Sequence, residues 1–305
     1  MNKLIAIIGP TATGKTKLAI ELALQFNGEI INADSRQIYR YMDIGTAKPI
    51  KEELAAVPHH LVDIIEPDKE FSLAEYQQLT DKTIQDIQTR GKIPFLVGGS
   101  GLYVWAVLEG WVIPKIAPDN GFRQELEQRV GMGQGAELYA DLRQIDPAAA
   151  EKIDPHNIRR VIRALEVNKL SETPFSELQK KQPPPFQTLI IGLTADRQGL
   201  YRRADERADK MLKKGFVEEV QTLQKMGYSL NLPAMSGIGY REIGQYLNGK
   251  MTLDAAVYKI KTGTHRFIRH QYAWFRLKDE HINWFDVEKV PDLEINRTVT
   301  EFLKQ

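Results

Sequence analysis

Near its start the chain carries five consecutive apolar residues, Leu4-Ile5-Ala6-Ile7-Ile8, which break at Gly9. A run this short, bounded by glycine and rich in isoleucine, predicts a strand buried on both faces. Similar runs recur around Ile30-Ile31 and at Ile93-Pro94-Phe95-Leu96-Val97, with helix-like segments between them. Residues 1 to 112 therefore predict alternating strands and helices, and hence a parallel sheet with right-handed crossovers. Around Pro114 and Pro118 the pattern changes, and from Gly121 to about Lys180 only helical signals occur. The clearest is Asp154-Pro155, which reads as an N-cap acid and a first-turn proline ahead of Ile158, Val161, Ile162 and Leu165 at helical spacing. Pro183-Pro184-Pro185 closes this region, and Thr188 to Leu193 reads as another buried strand. One strand cannot complete a fold, so it is expected to rejoin the first sheet. Two helices up to about Met226, a loop, further helices and an amphipathic segment from Pro291 complete the chain.

The break after the first run is chemically the richest stretch. Gly9-Pro10-Thr11-Ala12-Thr13-Gly14-Lys15-Thr16 lies between a predicted strand and a predicted helix, the context of a phosphate-binding loop. Its glycines let backbone N–H groups converge on an anion, Lys15 adds a point charge, Thr16 can hold Mg²⁺, and the following helix points its positive end at the site. The fold class expected is thus α/β, a phosphate-loop parallel sheet flanked by helices, with an inserted all-helical subdomain. Residues 1–114 and 186–305 form one discontinuous domain in this reading, and 115–185 form the insertion.

The loop implies a di- or triphosphate without saying which. The second strand ends at Asp34, at the carboxyl edge of the expected sheet, where its side chain faces the same ligand. Val97 runs into Gly98-Gly99-Ser100-Gly101, where a phosphate-loop nucleotidase would place a Mg²⁺-binding acid. That argues against an ordinary ATPase or GTPase. A nucleotide kinase and a nucleotide-regulated RNA-binding protein remain as competing readings.

Lysine and arginine total 41 against 40 acids, so any polyanion site must come from local clustering. Arg203, Arg207, Lys210 and Lys214 share one helical face. Arg159, Arg160 and Arg163 crowd another, with Glu166 one turn beyond Arg163 and Arg123 as a further candidate. From spacing alone these are solvated stripes and an intrahelical ion pair. A helix over Tyr258 to Leu277 interleaves basic residues with Phe267, Tyr272, Trp274 and Phe275, whose rings read as core. The absence of cysteine excludes disulfides and thiolate zinc sites, and the six histidines lack metal-binding spacing. No apolar run is long enough to span a bilayer, and a cytoplasmic location is expected.

Taken together the motifs closely resemble the tRNA dimethylallyltransferases, or tRNA isopentenyltransferases, of bacterial type. The matching segments are Gly9 to Thr16, Asp34-Ser35 with Ile38-Tyr39 through Pro49, Pro58-His59-His60-Leu61, Gly98 to Tyr103, Arg159 to Val167 and Gly239-Tyr240-Arg241, in the family's order. Ser100 stands where the family commonly has threonine, and Thr264 to Gln271 is less uniformly basic than the usual segment. The resemblance implies transfer of a dimethylallyl group from dimethylallyl diphosphate to N6 of the adenosine just 3′ of the anticodon. It implies Asp34 as proton acceptor, with Ser100 and Arg207 as its catalytic companions and Gly9 to Thr16 around the diphosphate. Contacts to the tRNA anticodon stem-loop are expected from Asp34, Ser35, Arg36, Gln37, Ser100, Arg123, Arg159, Arg160, Val161, Ile162, Arg163, Gly239, Tyr240 and Arg241. A monomer with Mg²⁺ as cofactor completes the expectation.

Overall fold

The computed structural model describes residues 2–114, 116, 119–178, 180–289 and 292–305. The expected pattern break at Pro118, the inserted domain's first residue Lys115 and the start of the terminal segment at Pro291 lie outside the described residues. The chain divides into two compact units, Met1–Leu108 with Pro184–Gln305, and Glu109–Pro183.

In the first unit β1 (Lys3–Ile8), α1 (Lys15–Gln25), β2 (Gly28–Asn32), α2 (Lys51–Ala56), β3 (His59–His60), α3 (Leu73–Thr89), β4 (Ile93–Gly98) and α4 (Gly101–Leu108) follow one another. The second unit contributes α5 (Asn120–Gly131), α6 (Gly135–Ile145), α7 (Pro147–Lys152), α8 (Ile158–Leu170) and α9 (Phe175–Leu178). The first unit then resumes with β5 (Gln187–Thr194), α10 (Arg197–Lys213), α11 (Phe216–Lys225), α12 (Tyr240–Leu247), α13 (Leu253–Trp274), β6 (Asn283–Asp286) and α14 (Asp292–Lys304).

The six strands form one parallel sheet in the order β3-β2-β4-β1-β5-β6. Thr188–Leu193 does rejoin it, with Leu189 opposite Ile5 and Ile191 opposite Ile7. The period of two divides β1 between faces. Leu4, Ala6 and Ile8 pack with Tyr76, Ile84, Tyr103 and Val107 of α3 and α4, whereas Ile5 and Ile7 pack with Leu18 and Leu22 of α1 and Ile295 and Val299 of α14. The strand order reverses at β1, with the earlier strands added on its β4 side and the later ones on its β5 side, which places the crevice for a ligand at the carboxyl end of β1. A further core forms from Ile38, Tyr39 and Met42 with Ala208, Phe216, Val220, Tyr240 and Ile260, and it anchors the segment after β2 to α10 through α13.

Two strands escaped the sequence reading. β3 is only two histidines, and β6, Asn283-Trp284-Phe285-Asp286, is a short edge strand without an aliphatic run. The expected cap of α8 is also corrected. Asn157, not Asp154, caps it, accepting from the Arg160 N–H at 3.3 Å. Asp154 instead accepts from the His156 N–H at 2.9 Å, and its carbonyl from the Asn157 N–H at 2.8 Å, a turn that precedes the helix. In the second unit α5 through α9 enclose their own core, which includes Leu126, Leu138, Leu142, Val161, Ile162, Leu165 and Phe175.

Candidate active site

Everything at the carboxyl end of β1 is arranged around the loop from Gly9 to Thr16. Gly9 has φ +135°, and a Cβ there would lie 2.3 Å from the Leu193 carbonyl oxygen, so the loop can leave the sheet between β1 and β5 only as glycine. The buried Thr13 hydroxyl donates to the Pro10 carbonyl at 2.9 Å, and Lys15 Nζ donates to the same oxygen at 2.7 Å. Gly14 caps α1 in the left-handed region, φ +87°, and brings the first N–H groups of that helix to the loop.

Arg207 reaches the loop from α10, its Nη2 donating to Thr11 Oγ1 at 2.7 Å. It therefore leaves the solvated stripe that spacing alone suggested. Burial lowers the Lys15 pKa to about 7, partly countered by Asp34 and reinforced by Arg207. Burial lowers that of Arg207 as well, again countered by Asp34. Two cations crowded into a site with one carboxylate form a pocket suited to a dianion or trianion.

Asp34 lies just beyond β2, its Oδ1 accepting from the Arg36 N–H at 2.8 Å. Ser100 Oγ accepts from the Ser35 N–H at 3.0 Å and lies 3.3 Å from Ser35 Oγ, which ties the turn after β4 to the segment after β2. Their close approach depends on Gly98, where a Cβ would lie 2.1 Å from the Ala33 carbonyl oxygen. Gln37 donates to the Thr46 and Ala47 carbonyls at 3.2 Å each, and Arg36 to the Pro233 carbonyl at 2.8 Å. Gly239, at φ +99°, starts α12, with Arg241 exposed beside Glu242 at 2.7 Å.

Tyr240, expected among the tRNA contacts, has its side chain in the core. It is 2 % exposed, and its hydroxyl donates to Glu219 at 2.7 Å. The side chains of Val161 and Ile162, also expected among the tRNA contacts, are buried in the second unit's core. In that unit Arg159 and Arg160 are exposed on α8. Arg163 and Arg123 instead converge on the fully buried Glu166, which also accepts from the Asp119 N–H at 2.8 Å. Burial would raise the Glu166 pKa, but the two guanidiniums and that N–H outweigh it and hold the carboxyl below its usual range.

Two side chains at the site carry no sequence signal of their role. Gln271 of α13 accepts from the Thr11 N–H at 2.9 Å and donates to the Gly99 carbonyl at 2.9 Å, joining the phosphate loop to the turn that bears Ser100. Glu219 of α11 accepts from the N–H groups of Asp43, Ile44 and Gly45 at 3.0, 2.7 and 3.1 Å, which orders the loop whose carbonyls hold Gln37. Among the described residues no cluster of three or more His, Asp or Glu side chains could hold a metal ion. Thr16 opens into a small cavity that is also lined by Asn32, Gln37 and His59 and by apolar residues, so its hydroxyl is the donor there for a cation carried in by phosphate oxygens and water.

Two family models match the chain, IPP transferase over residues 37–278 and Isopentenyl transferase over residues 2–64. The chain belongs to the IPP transferase family. It is 54 % identical to a tRNA dimethylallyltransferase of Roseiflexus sp. (strain RS-1) over 276 residues, 90 % of each protein. It also resembles the tRNA isopentenylpyrophosphate transferase of Bacillus halodurans, with a TM-score of 0.75 at 41 % identity, over 100 % of this chain and 97 % of that one. A eukaryotic dimethylallyltransferase acting on tRNA is similar with a TM-score of 0.84 at 27 % identity, over 100 % of this chain and 80 % of that one. In this chain β4 ends in Gly98, and the turn that follows it, Gly99-Ser100-Gly101, holds no acid of the kind a nucleotidase uses. No described helix is long and apolar enough to cross a membrane.

Proposed function

We propose that the chain transfers a dimethylallyl group from dimethylallyl diphosphate to N6 of the adenosine 3′-adjacent to the anticodon in tRNA, releasing diphosphate. The observation that carries this reading is the conjunction of Lys15, Arg207 and Asp34 at one phosphate loop, in a chain 54 % identical to a tRNA dimethylallyltransferase. In the reaction the allylic C–O bond breaks, a C–N bond forms to N6, and one N6 proton passes to Asp34. The adenine amine is a weak nucleophile because its lone pair is delocalised. A carboxylate that takes the proton as the bond forms is worth ~10²–10⁴-fold in rate.

Charge gathers on the departing diphosphate, and the cations Lys15 and Arg207 and the loop N–H groups stabilise it there. Mg²⁺ would be held by the Thr16 hydroxyl with diphosphate oxygens and water, and when bound it supplies further neutralisation of the leaving group. Ser100 orders the segment that carries Asp34 through its bond to Ser35 and stands within reach of the nucleophile. An adenine in a stacked loop must be extruded before its N6 can reach Asp34, and Ser35, Gln37, Gly239 and Arg241 form the receiving edge.

The second unit is the tRNA-binding domain in this reading, and the exposed Arg159 and Arg160 neutralise backbone phosphates. Arg123 and Arg163 support them by ordering α5 and α8 through Glu166. The enzyme works as a cytoplasmic monomer. Incubation with labelled dimethylallyl diphosphate and unmodified tRNA tests the reading: label enters tRNA one-for-one with diphosphate release. Diphosphate release without label in tRNA would contradict it.

A further inference from the structure

Asn32 is the last residue of β2 and is 4 % exposed, a polar side chain between Ile31 and Ala33, which are both buried. Its carboxamide is fully engaged. Oδ1 accepts from the Asp34 N–H at 3.0 Å, while Nδ2 donates to the Asp34 carbonyl at 3.0 Å and to the Leu61 carbonyl at 3.0 Å. One acceptor meets an N–H and two donors meet two carbonyls, so the partners dictate which way the amide points. Both main-chain polar groups of Asp34 are thus bound by one side chain two residues earlier.

The grip has firm backing. The Asn32 carbonyl accepts from the Tyr76 hydroxyl at 3.0 Å, and the Tyr76 ring stacks on Tyr103 at 3.8 Å, both rings being buried. Leu61, the third partner, has φ +61°, a left-handed conformation that a leucine adopts only when its surroundings impose it. Beyond Asn32 the segments after β2 and β3 run together, the Asp63 N–H donating to the Gln37 carbonyl at 3.2 Å and the Ile64 N–H to the Ile38 carbonyl at 2.9 Å. Asn32 sits at the fork where both leave the sheet. With the Asp34 main chain held and its Oδ1 occupied by the Arg36 N–H, Oδ2 has no hydrogen-bond partner among the described residues.

We propose that Asn32 is a positioning residue for the transfer reaction: by clasping the N–H and C=O of Asp34 and tying them to Leu61, it aims Asp34 Oδ2 at the amine it deprotonates. The inference rests on Asp34 being the proton acceptor. Its test is a cycle of single-turnover transfer rates in wild type, Asn32→Ala, Asp34→Asn and the double variant, at saturating tRNA and dimethylallyl diphosphate. Affinity for inorganic diphosphate is measured alongside by calorimetry.

Asn32→Ala is expected to slow transfer about 10- to 100-fold, the effect of a small misplacement of a reacting group, with diphosphate affinity within about twofold of wild type. In the Asp34→Asn background it should add less than about threefold, because the group it aims is already disabled. Asn32→Ser restores an oxygen on the side facing the Asp34 N–H and should recover part of the rate. The same slowing in both backgrounds, or a wild-type rate in Asn32→Ala, would overturn the proposal. If Asn32→Ala does not fold, Asn32→Ser and its double variant with Asp34→Asn give the same comparison. A wild-type rate in Asp34→Asn alone would remove the base assignment, and that result is visible without any change at Asn32.

Discussion

Lys15 is the residue whose perturbation the structure quantifies best. Burial brings its pKa to about 7, so at pH 8 the free ammonium is mostly deprotonated, whereas a diphosphate bound against it requires the charged form. Binding must then draw in a proton. With a free pKa of about 7 and a bound value well above 8, uptake at pH 8 is about 0.9 proton per site. The sign follows directly: affinity is greatest below the free pKa and weakens as pH rises through it, by about tenfold between pH 6 and pH 8. Titration with inorganic diphosphate in buffers of different ionisation enthalpy measures the uptake. Lys15→Arg is the control, because a guanidinium stays charged throughout and reports only the ligand's own protons. Equal uptake in wild type and Lys15→Arg would refute the reasoning and would mean that Lys15 is already protonated in the free site.

Asp34→Asn should lower single-turnover transfer by at least about a hundredfold. Because Asp34 raises the Lys15 pKa, its diphosphate binding should match wild type at pH 6 and fall below it at pH 8, as calorimetry at the two values would show. Arg207→Ala should cost roughly 1.5–3 kcal/mol of transition-state stabilisation, read from kcat/KM, as a charge-assisted contact to the leaving group is lost. Arg159→Ala and Arg160→Ala should each flatten the salt dependence of tRNA binding by about one unit of slope and leave diphosphate binding alone, and unaltered slopes would return both to a solvated face. Glu166→Ala should destabilise the second unit by about 3 kcal/mol, since it leaves Arg123 and Arg163 without their buried partner, although their partial exposure softens the loss; chemical denaturation reads this directly.

The sheet and the phosphate loop were legible because their signals are local. A five-residue apolar run, a glycine break and a lysine-threonine pair all lie within Leu4 to Thr16. The 3.6-residue period at Ile158, Val161, Ile162 and Leu165 marked the helix but not which of its residues are buried, and the structure places Val161 and Ile162 in the second unit's core. The same sequence spacing placed Glu166 beside Arg163. Gln271 was invisible for the opposite reason: its bond to the Thr11 N–H spans 260 residues, and nothing in a helix of alternating basic and aromatic residues distinguishes it. Glu219 reads as one more exposed acid of α11 until the fold brings three N–H groups to its carboxylate. β6 was missed because edge strands need no aliphatic run.

Donor identity is the central claim, and one assay addresses it. Purified protein, Mg²⁺ and unmodified tRNA are supplied with either dimethylallyl diphosphate or ATP, and the RNA is digested and weighed by mass spectrometry. The account predicts a C5H8 increment on the adenosine 3′ of the anticodon with dimethylallyl diphosphate, and no covalent change with ATP. A phosphoryl increment with ATP, and none of C5H8 with the prenyl donor, would contradict it.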